Sequence, residues 1–150
     1  MKKRLESIED LGLFAGSFIR DALEHHTKDD GALVVGLYGD LGSGKTAFVK
    51  QVATALGIEN TVTSPTFVIE KIYKLPESGL GVGMSHLIHI DAYRLDGGSE
   101  LVSLGWEQVV GDVKNIIFIE WPEQVKDILP SNMKKISFMF VDENIREVEW

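Results

Sequence analysis

Residues 32–46 read ALVVGLYGDLGSGKT, an apolar run that leads directly into a glycine-rich segment. Residues 39–46 fit the spacing GxxxxGK[ST], in which the glycines let the backbone turn tightly and point several N–H groups inward. Those donors, together with the positive end of a following helix, can bind an anion. The stretch therefore predicts a buried strand, a phosphate-binding loop (P-loop) and a helix, in that order.

The residues after the loop supply the helix that this pattern requires. Apolar side chains at 48, 49, 52, 53 and 56 form one helical stripe, and Gly57 is placed to end it. A glycine-rich turn without a ligand is the alternative interpretation, and the flanking strand and helix argue against it. In a nucleotide site, Lys45 would reach the β- and γ-phosphates and the Thr46 hydroxyl would bind the bridging Mg²⁺.

Composition restricts the class of protein. The chain has 150 residues, enough for one domain, and a net charge of −8. Acidic residues outnumber basic ones in each third of the sequence, so no segment offers a basic surface for tight nucleic-acid binding. The absence of cysteine excludes disulfides, thiol catalysis and cysteine-bound zinc. With no signal-like apolar region and no apolar run long enough to span a bilayer, we expect a cytoplasmic protein without a membrane role.

Periodicity predicts the remaining elements. Ser7 and Asp10 form an [ST]xx[DE] capping pattern before an amphipathic first helix. We further expect a hairpin over 67–94 with a glycine-rich turn at 76–83, an interrupted helix over 99–110 capped by Ser99, a buried strand at 115–120, a short helix at 122–129, and strands at 134–141 and 145–150. The fold class is α/β: a single P-loop NTPase domain, 1–150, with a mixed, mostly parallel sheet flanked by helices and antiparallel additions.

Two carboxylates end apolar runs and are candidates for the metal and hydrolysis site. Glu120 ends IIFIE, and Asp91 ends LIHID. Nucleotide hydrolysis needs such a group at the carboxyl end of a strand beside the P-loop strand. A solvated strand end or a helix cap is the alternative for either residue. His86 and His89 stand at odd spacing on the second hairpin strand, so they face opposite sides of the sheet and cannot share one metal.

Three further positions have two open interpretations each. The segment Ser64-Pro65-Thr66 follows the P-loop helix, where a hydroxyl can sense the γ-phosphate and Mg²⁺, but it equally fits a proline-marked strand entry. Trp121 could pack on the nucleotide or close the edge of the core. Arg94 could contact phosphate or a partner, or lie exposed at a strand end.

Taken in order, these residues resemble the TsaE family, also called YjeE, small bacterial ATPases needed for threonylcarbamoyladenosine formation in tRNA. The motifs that carry the resemblance are GDLGSGKTAFVK at 39–50, SPTF at 64–67, HIDAYRL at 89–95, ELVSLGWEQ at 100–108 and IEWPE at 119–123. The resemblance implies a nucleotide-dependent helper that acts with TsaD-like and TsaB-like proteins, which form the threonylcarbamoyl-transfer assembly.

The resemblance also implies roles for individual residues, with ATP and Mg²⁺ as the cofactors. The nucleotide would be held by Gly39, Asp40, Leu41, Gly42, Ser43, Gly44, Lys45, Thr46, Ala47, Thr66 and Trp121. The metal would be held by Thr46, Glu120 and Asp91. The catalytic set would be Glu120, Asp91 and Lys45, with Ser64 and Thr66 in a switch-like loop.

Two rival functions remain open on the sequence. A small-molecule kinase would need a second pocket and usually an arginine-bearing lid, whereas the arginines of this chain, at 4, 20, 94 and 146, are widely scattered. A nucleotide-gated binding module that does not hydrolyse ATP is the second rival. A GTPase is disfavoured because the chain has no guanine-reading NKxD motif.

Overall fold

Strands and helices follow one another along the chain in the computed structural model, which describes residues 1–60, 62–65 and 68–150. The strands are β1 Lys2–Leu5, β2 Leu33–Tyr38, β3 Glu70–Lys74, β4 His86–Asp91, β5 Asn115–Glu120, β6 Lys134–Phe140 and β7 Arg146–Glu149. The helices are α1 Ile8–Glu24, α2 Lys45–Ala55, α3 Ser99–Ser103 and α4 Trp106–Gly111, with a 3₁₀ turn at Pro122–Val125. Within the described ranges, no helix is both long enough and apolar enough to cross a membrane.

The strands form one sheet in the order β1-β7-β6-β2-β5-β4-β3. The central strands β6, β2, β5 and β4 are parallel to one another. The pairs β1–β7, β6–β7 and β3–β4 are antiparallel and lie toward the two edges. This arrangement confirms the predicted mixed sheet, in which a parallel centre carries antiparallel additions.

Helices cover both faces of the sheet, and alternate residues of each central strand point to different helices. In β5, Ile116 and Phe118 pack with α1 and α2, whereas Ile117 and Ile119 pack on the side of α3 and α4. A strand buried on both faces is apolar throughout, which explains why β5 was predicted with its bounds correct. The same alternation places the Glu120 side chain on the α1 and α2 side, at the carboxyl end of the strand.

The first helix begins as its capping pattern predicts. The Ser7 Oγ accepts a hydrogen bond from the Asp10 N–H at 3.0 Å, and the Asp10 carboxylate accepts one from the Glu6 N–H. Aromatic side chains then join α1 to α2, since the rings of Phe14 and Phe18 lie 5.4 and 5.9 Å from that of Phe48. This packing fixes α2, and with it the P-loop, against the sheet.

Several predicted elements need correction. Gly98, not Ser99, is the N-cap of α3, and a side chain at position 98 would collide with Ile128. The hairpin pairs only Glu70–Lys74 with residues 86–90, residue 67 lies outside the described residues, and the helix predicted over 122–129 is a single 3₁₀ turn. Strand β1 was missed, since only Leu5 among its four residues is buried and no alternation is visible.

The two serines predicted as caps should differ in their effect on stability. Replacing Ser7 by alanine removes the acceptor for the Asp10 N–H and is expected to lower the free energy of unfolding by about 0.5–2 kcal/mol. Ser99→Ala is the matched control, because Ser99 is exposed and does not cap α3. Urea unfolding of both variants measures the difference, and an equal loss in the two would contradict the assigned cap.

Candidate active site

The P-loop keeps its shape because its glycines adopt backbone angles that other residues avoid. Gly39, Gly42 and Gly44 have φ values of 133°, 76° and 112°. A Cβ at Gly39 would also lie 2.4 Å from the Phe138 carbonyl oxygen. Gly44 is the N-cap of α2 and provides no side chain there, so the first N–H groups of the helix remain available to an anion.

Lys45 lies at the floor of the loop and is only 4% exposed. Its Nζ donates to the carbonyl oxygens of Gly39 and Asp40 at 2.6 and 2.9 Å, and lies 4.3 Å from the centroid of the Trp121 ring. The loop thus wraps around its own cation. Desolvation lowers the pKa of Lys45, and the carboxylates of Glu120, Glu123, Asp91 and Asp40 oppose that shift.

The two predicted carboxylates come together beside the loop. Asp91 and Glu120 end the parallel strands β4 and β5 and are directly paired in register. Both are buried, at 7% and 4% exposure. The Thr46 hydroxyl donates to Glu120 Oε1 at 2.6 Å, and Asp91 Oδ1 accepts from the Tyr93 N–H at 3.0 Å. The structure thus joins Thr46, Asp91 and Glu120, as the sequence predicted.

His89 is a member of this cluster that sequence reasoning did not assign. Its side chain is fully buried, and its Nε2 lies 2.8 Å from the same Glu120 Oε1 that Thr46 contacts. The odd spacing between His86 and His89 correctly predicted that their side chains face opposite sides of the sheet. It did not show which of the two faces Glu120. The register of β4 on β5 supplies that information, because it places His89 opposite Phe118, two residues from Glu120.

The Trp121 ring contacts both Lys45 and Tyr93. The Trp121 φ of 58° is in the left-handed region, which a bulky residue seldom adopts. The ring packs on Tyr93, with centroids 5.0 Å apart, as well as lying under the Lys45 ammonium. A strained backbone is typical of functional sites when the surroundings hold it in place, and here two ring contacts do so.

An open cleft of about 580 Å³, a size typical of small-ligand sites, is lined by Lys45, Thr46, Asp91, Glu120 and Trp121. Ser64, Arg94 and the unassigned Arg146 also line it. Arg146 comes from β7, far along the chain, and its guanidinium lies over the Phe140 ring at 4.5 Å. Thr66, predicted to contact nucleotide, lies outside the described residues.

A second cavity of about 270 Å³ adjoins the cleft. It lies between the start of α1 and the β6–β7 connection, and Gly44, Ala47 and Arg146 line both spaces. Leu11 and Phe138 give it apolar walls. The two cavities therefore adjoin at the N-terminus of α2, and polar side chains such as Glu6 and Asn144 also line the smaller one.

The donor set at the cleft floor fits a hard divalent cation. A hydroxyl and two carboxylates provide oxygen ligands, which Mg²⁺ prefers. Among residues 1–60, 62–65 and 68–150, no three side chains of His, Cys, Asp or Glu are grouped as a metal cage. The cluster thus matches a cation that takes one or two carboxylates from protein and completes its shell with phosphate and water, as Mg²⁺ does.

Comparison with known proteins gives a consistent result over most of the chain. A family model described as "Threonylcarbamoyl adenosine biosynthesis protein TsaE" matches residues 6–148. A protein of Treponema pallidum named tRNA threonylcarbamoyladenosine biosynthesis protein TsaE is 35% identical over 120 residues, 80% of this chain and 82% of that protein. Its namesake in Rickettsia typhi is 34% identical over 114 residues, 75% and 73% of the two chains.

A solved structure resembles the fold as well as the sequence. The crystal structure of Bacillus subtilis YdiB aligns with a TM-score of 0.67 and 28% identity, covering 99% of this chain and 82% of that one. The match therefore includes the edge strands β1 and β7, which lie outside the motifs recognised in the sequence.

Proposed function

The chain belongs to the TsaE family, and on that premise we propose that it binds and hydrolyses ATP with Mg²⁺ in support of a partner complex that forms threonylcarbamoyladenosine in tRNA. The observation that carries the proposal is the meeting of Lys45, Thr46 and Glu120 at the floor of one cleft, where Thr46 Oγ1 lies 2.6 Å from Glu120 Oε1. A phosphate loop alone would support binding. A carboxylate joined to the P-loop hydroxyl also supports hydrolysis.

The two adjoining cavities at the start of α2 suit a nucleoside triphosphate. The phosphates would lie over the loop at residues 39–46, where backbone N–H groups, the helix N-terminus and Lys45 favour negative charge. The adjoining cavity, with the apolar Leu11 and Phe138, would receive the nucleoside. Arg146 lines both cavities and would therefore face the link between these two parts.

Thr46, Glu120 and Asp91 would hold the magnesium ion. Bound there, Mg²⁺ would neutralise charge that develops on the β- and γ-phosphates. Glu120 already shares a hydrogen bond with Thr46, so this part of the site needs little rearrangement. Asp91 stands directly beside Glu120 on the neighbouring strand and would orient the attacking water.

The tRNA-related role comes from the family and from its named relatives. With a net charge of −8, this chain is a poor direct ligand for RNA, so other subunits would hold the tRNA. We assign that task to TsaD-like and TsaB-like partners. The segment that begins at Ser64, which lines the cleft, would report the bound nucleotide to them, with Thr66 as its sensor.

Neutralising either carboxylate should separate hydrolysis from binding. Glu120→Gln and Asp91→Asn keep the shape of the side chain but remove its charge, so we expect ATP binding to persist and partner-stimulated hydrolysis to fall by about tenfold or more. Single-turnover hydrolysis with radiolabelled ATP measures the loss. Glu107→Gln, at an exposed position on α4, is the control.

The same assay separates the proposal from its rivals. Parent rates in both variants, with partners present, would show that neither carboxylate serves the metal. No hydrolysis by the unmodified chain under any condition would favour a nucleotide-gated binding module. Transfer of the labelled phosphate to a small acceptor instead of water would favour a kinase.

A further inference from the structure

The geometry points to His89 as the residue that positions the Glu120 carboxylate, by donating its Nε2–H to Oε1. We infer that His89 acts through Glu120 and does not itself touch nucleotide or metal. This inference rests on the proposed function, because it needs Glu120 to be a magnesium ligand.

Strand pairing creates the contact. His89 is in register with Phe118, and Glu120 lies two residues further along the parallel strand β5, on the same face. Such diagonal neighbours are within reach of long side chains. The His89 side chain is 0% exposed, that of Glu120 is 5% exposed, and the two atoms are 2.8 Å apart. Water therefore has little access to this hydrogen bond.

The direction of the hydrogen bond follows from the acceptor. An ionised carboxylate can only accept, so Nε2 must carry the hydrogen. The other ring nitrogen, Nδ1, is buried and has no hydrogen-bond partner within the described part of the chain. A hydrogen on Nδ1 would be a buried donor left unsatisfied. The geometry thus favours Nε2 as the nitrogen that carries the hydrogen of this bond.

Two donors meet at one oxygen of Glu120. Oε1 accepts from the Thr46 hydroxyl at 2.6 Å and from His89 at 2.8 Å. Together these contacts fix the rotation of the carboxylate while leaving lone pairs for a cation. Partners of this kind orient metal ligands, and their loss typically lowers metal affinity or activity by about 10- to 100-fold.

A histidine that merely fills the core would show different behaviour. A filling role needs volume, whereas a positioning role needs a hydrogen-bond donor near the place of Nε2. Glutamine can supply such a donor and leucine cannot. His86 provides a matched control, since it lies on the same strand, faces the opposite side of the sheet and is only half-buried.

The test compares ATP affinity with and without Mg²⁺ by titration calorimetry. We expect His89→Leu to reduce the gain in affinity that Mg²⁺ gives by about 10- to 100-fold, with the affinity in EDTA unchanged. His89→Gln should recover most of that gain, and His86→Leu should retain all of it. A full gain in His89→Leu, or a loss in His89→Gln equal to that in His89→Leu, would overturn the inference.

Nitrogen-15 spectra of the unmodified protein provide a second readout that needs no variant. The Nε2 of the His89 ring should carry a hydrogen, and a ring whose hydrogen lies on Nδ1 alone would overturn the inference even if His89→Leu fails to fold. Glu120→Gln, titrated in parallel, distinguishes a wrong role for His89 from a wrong role for Glu120. If Glu120→Gln loses the increase in ATP affinity that Mg²⁺ gives and His89→Leu keeps it, only the role of His89 fails. If Glu120→Gln keeps the full increase, Mg²⁺ binds without Glu120, and the proposed magnesium ligand is itself wrong.

Discussion

Replacing Lys45 by alanine is expected to weaken ATP binding by roughly 30- to 4000-fold, equivalent to about 2–5 kcal/mol. The ammonium is buried at the floor of the cleft, where it is held by the carbonyl oxygens of Gly39 and Asp40. A charge that is already desolvated and fixed in position interacts strongly with a phosphate, because little reorganisation is needed when the ligand arrives. Titration calorimetry measures the loss.

The burial of Lys45 requires a control for packing. Lys45→Ala also removes methylenes and the contact with the Trp121 ring, so Lys45→Met, which keeps the volume and removes the charge, should be measured beside it. Lys50→Ala is the second control, since Lys50 is exposed on the same helix. If Lys45→Met binds ATP as the parent does and remains folded, the assignment of this loop to nucleotide phosphates is wrong.

The features that the sequence predicted correctly are those with a local cause. The P-loop needs glycines at fixed positions, α1 needs a cap at Ser7, and β5 is apolar because helices cover both its faces. In each case the physical cause of the element can be recognised from a few residues that are adjacent in the sequence. Asp91 and Glu120 were found in the same way, as charged residues that end apolar runs.

The features that were missed depend on contacts between distant parts of the chain. His89 reaches Glu120 only through the register of β4 on β5, and Arg146 reaches the cleft only because β7 returns beside β6. The burial of Lys45 was not foreseen either, because the motif specifies its charge but not the closure of the loop around it. Gly98 stands at the N-cap position of α3 and approaches Ile128 closely, a distant contact that no capping pattern contains.

Addition of TsaD-like and TsaB-like partners is expected to raise the steady-state rate of ATP hydrolysis by on the order of 10³–10⁵ over that of the chain alone. The cleft is open to water, since Leu41 and Tyr93, which line it, are 81% and 49% exposed. Water screens the charges that should stabilise the transition state and leaves the attacking group poorly positioned. A partner that covers the cleft would correct both deficits.

The exposure of the Leu41 side chain also favours a partner that covers the cleft. It lies at the tip of the phosphate loop, where a large apolar side chain gains nothing from water, and a protein surface placed against it would exclude solvent next to the phosphates. Glu120→Gln is the control, because a site without its metal ligand should gain little from coverage. Equal rates with and without partners, together with partner binding that does not depend on ATP, would contradict the proposal and favour a self-sufficient enzyme such as a kinase.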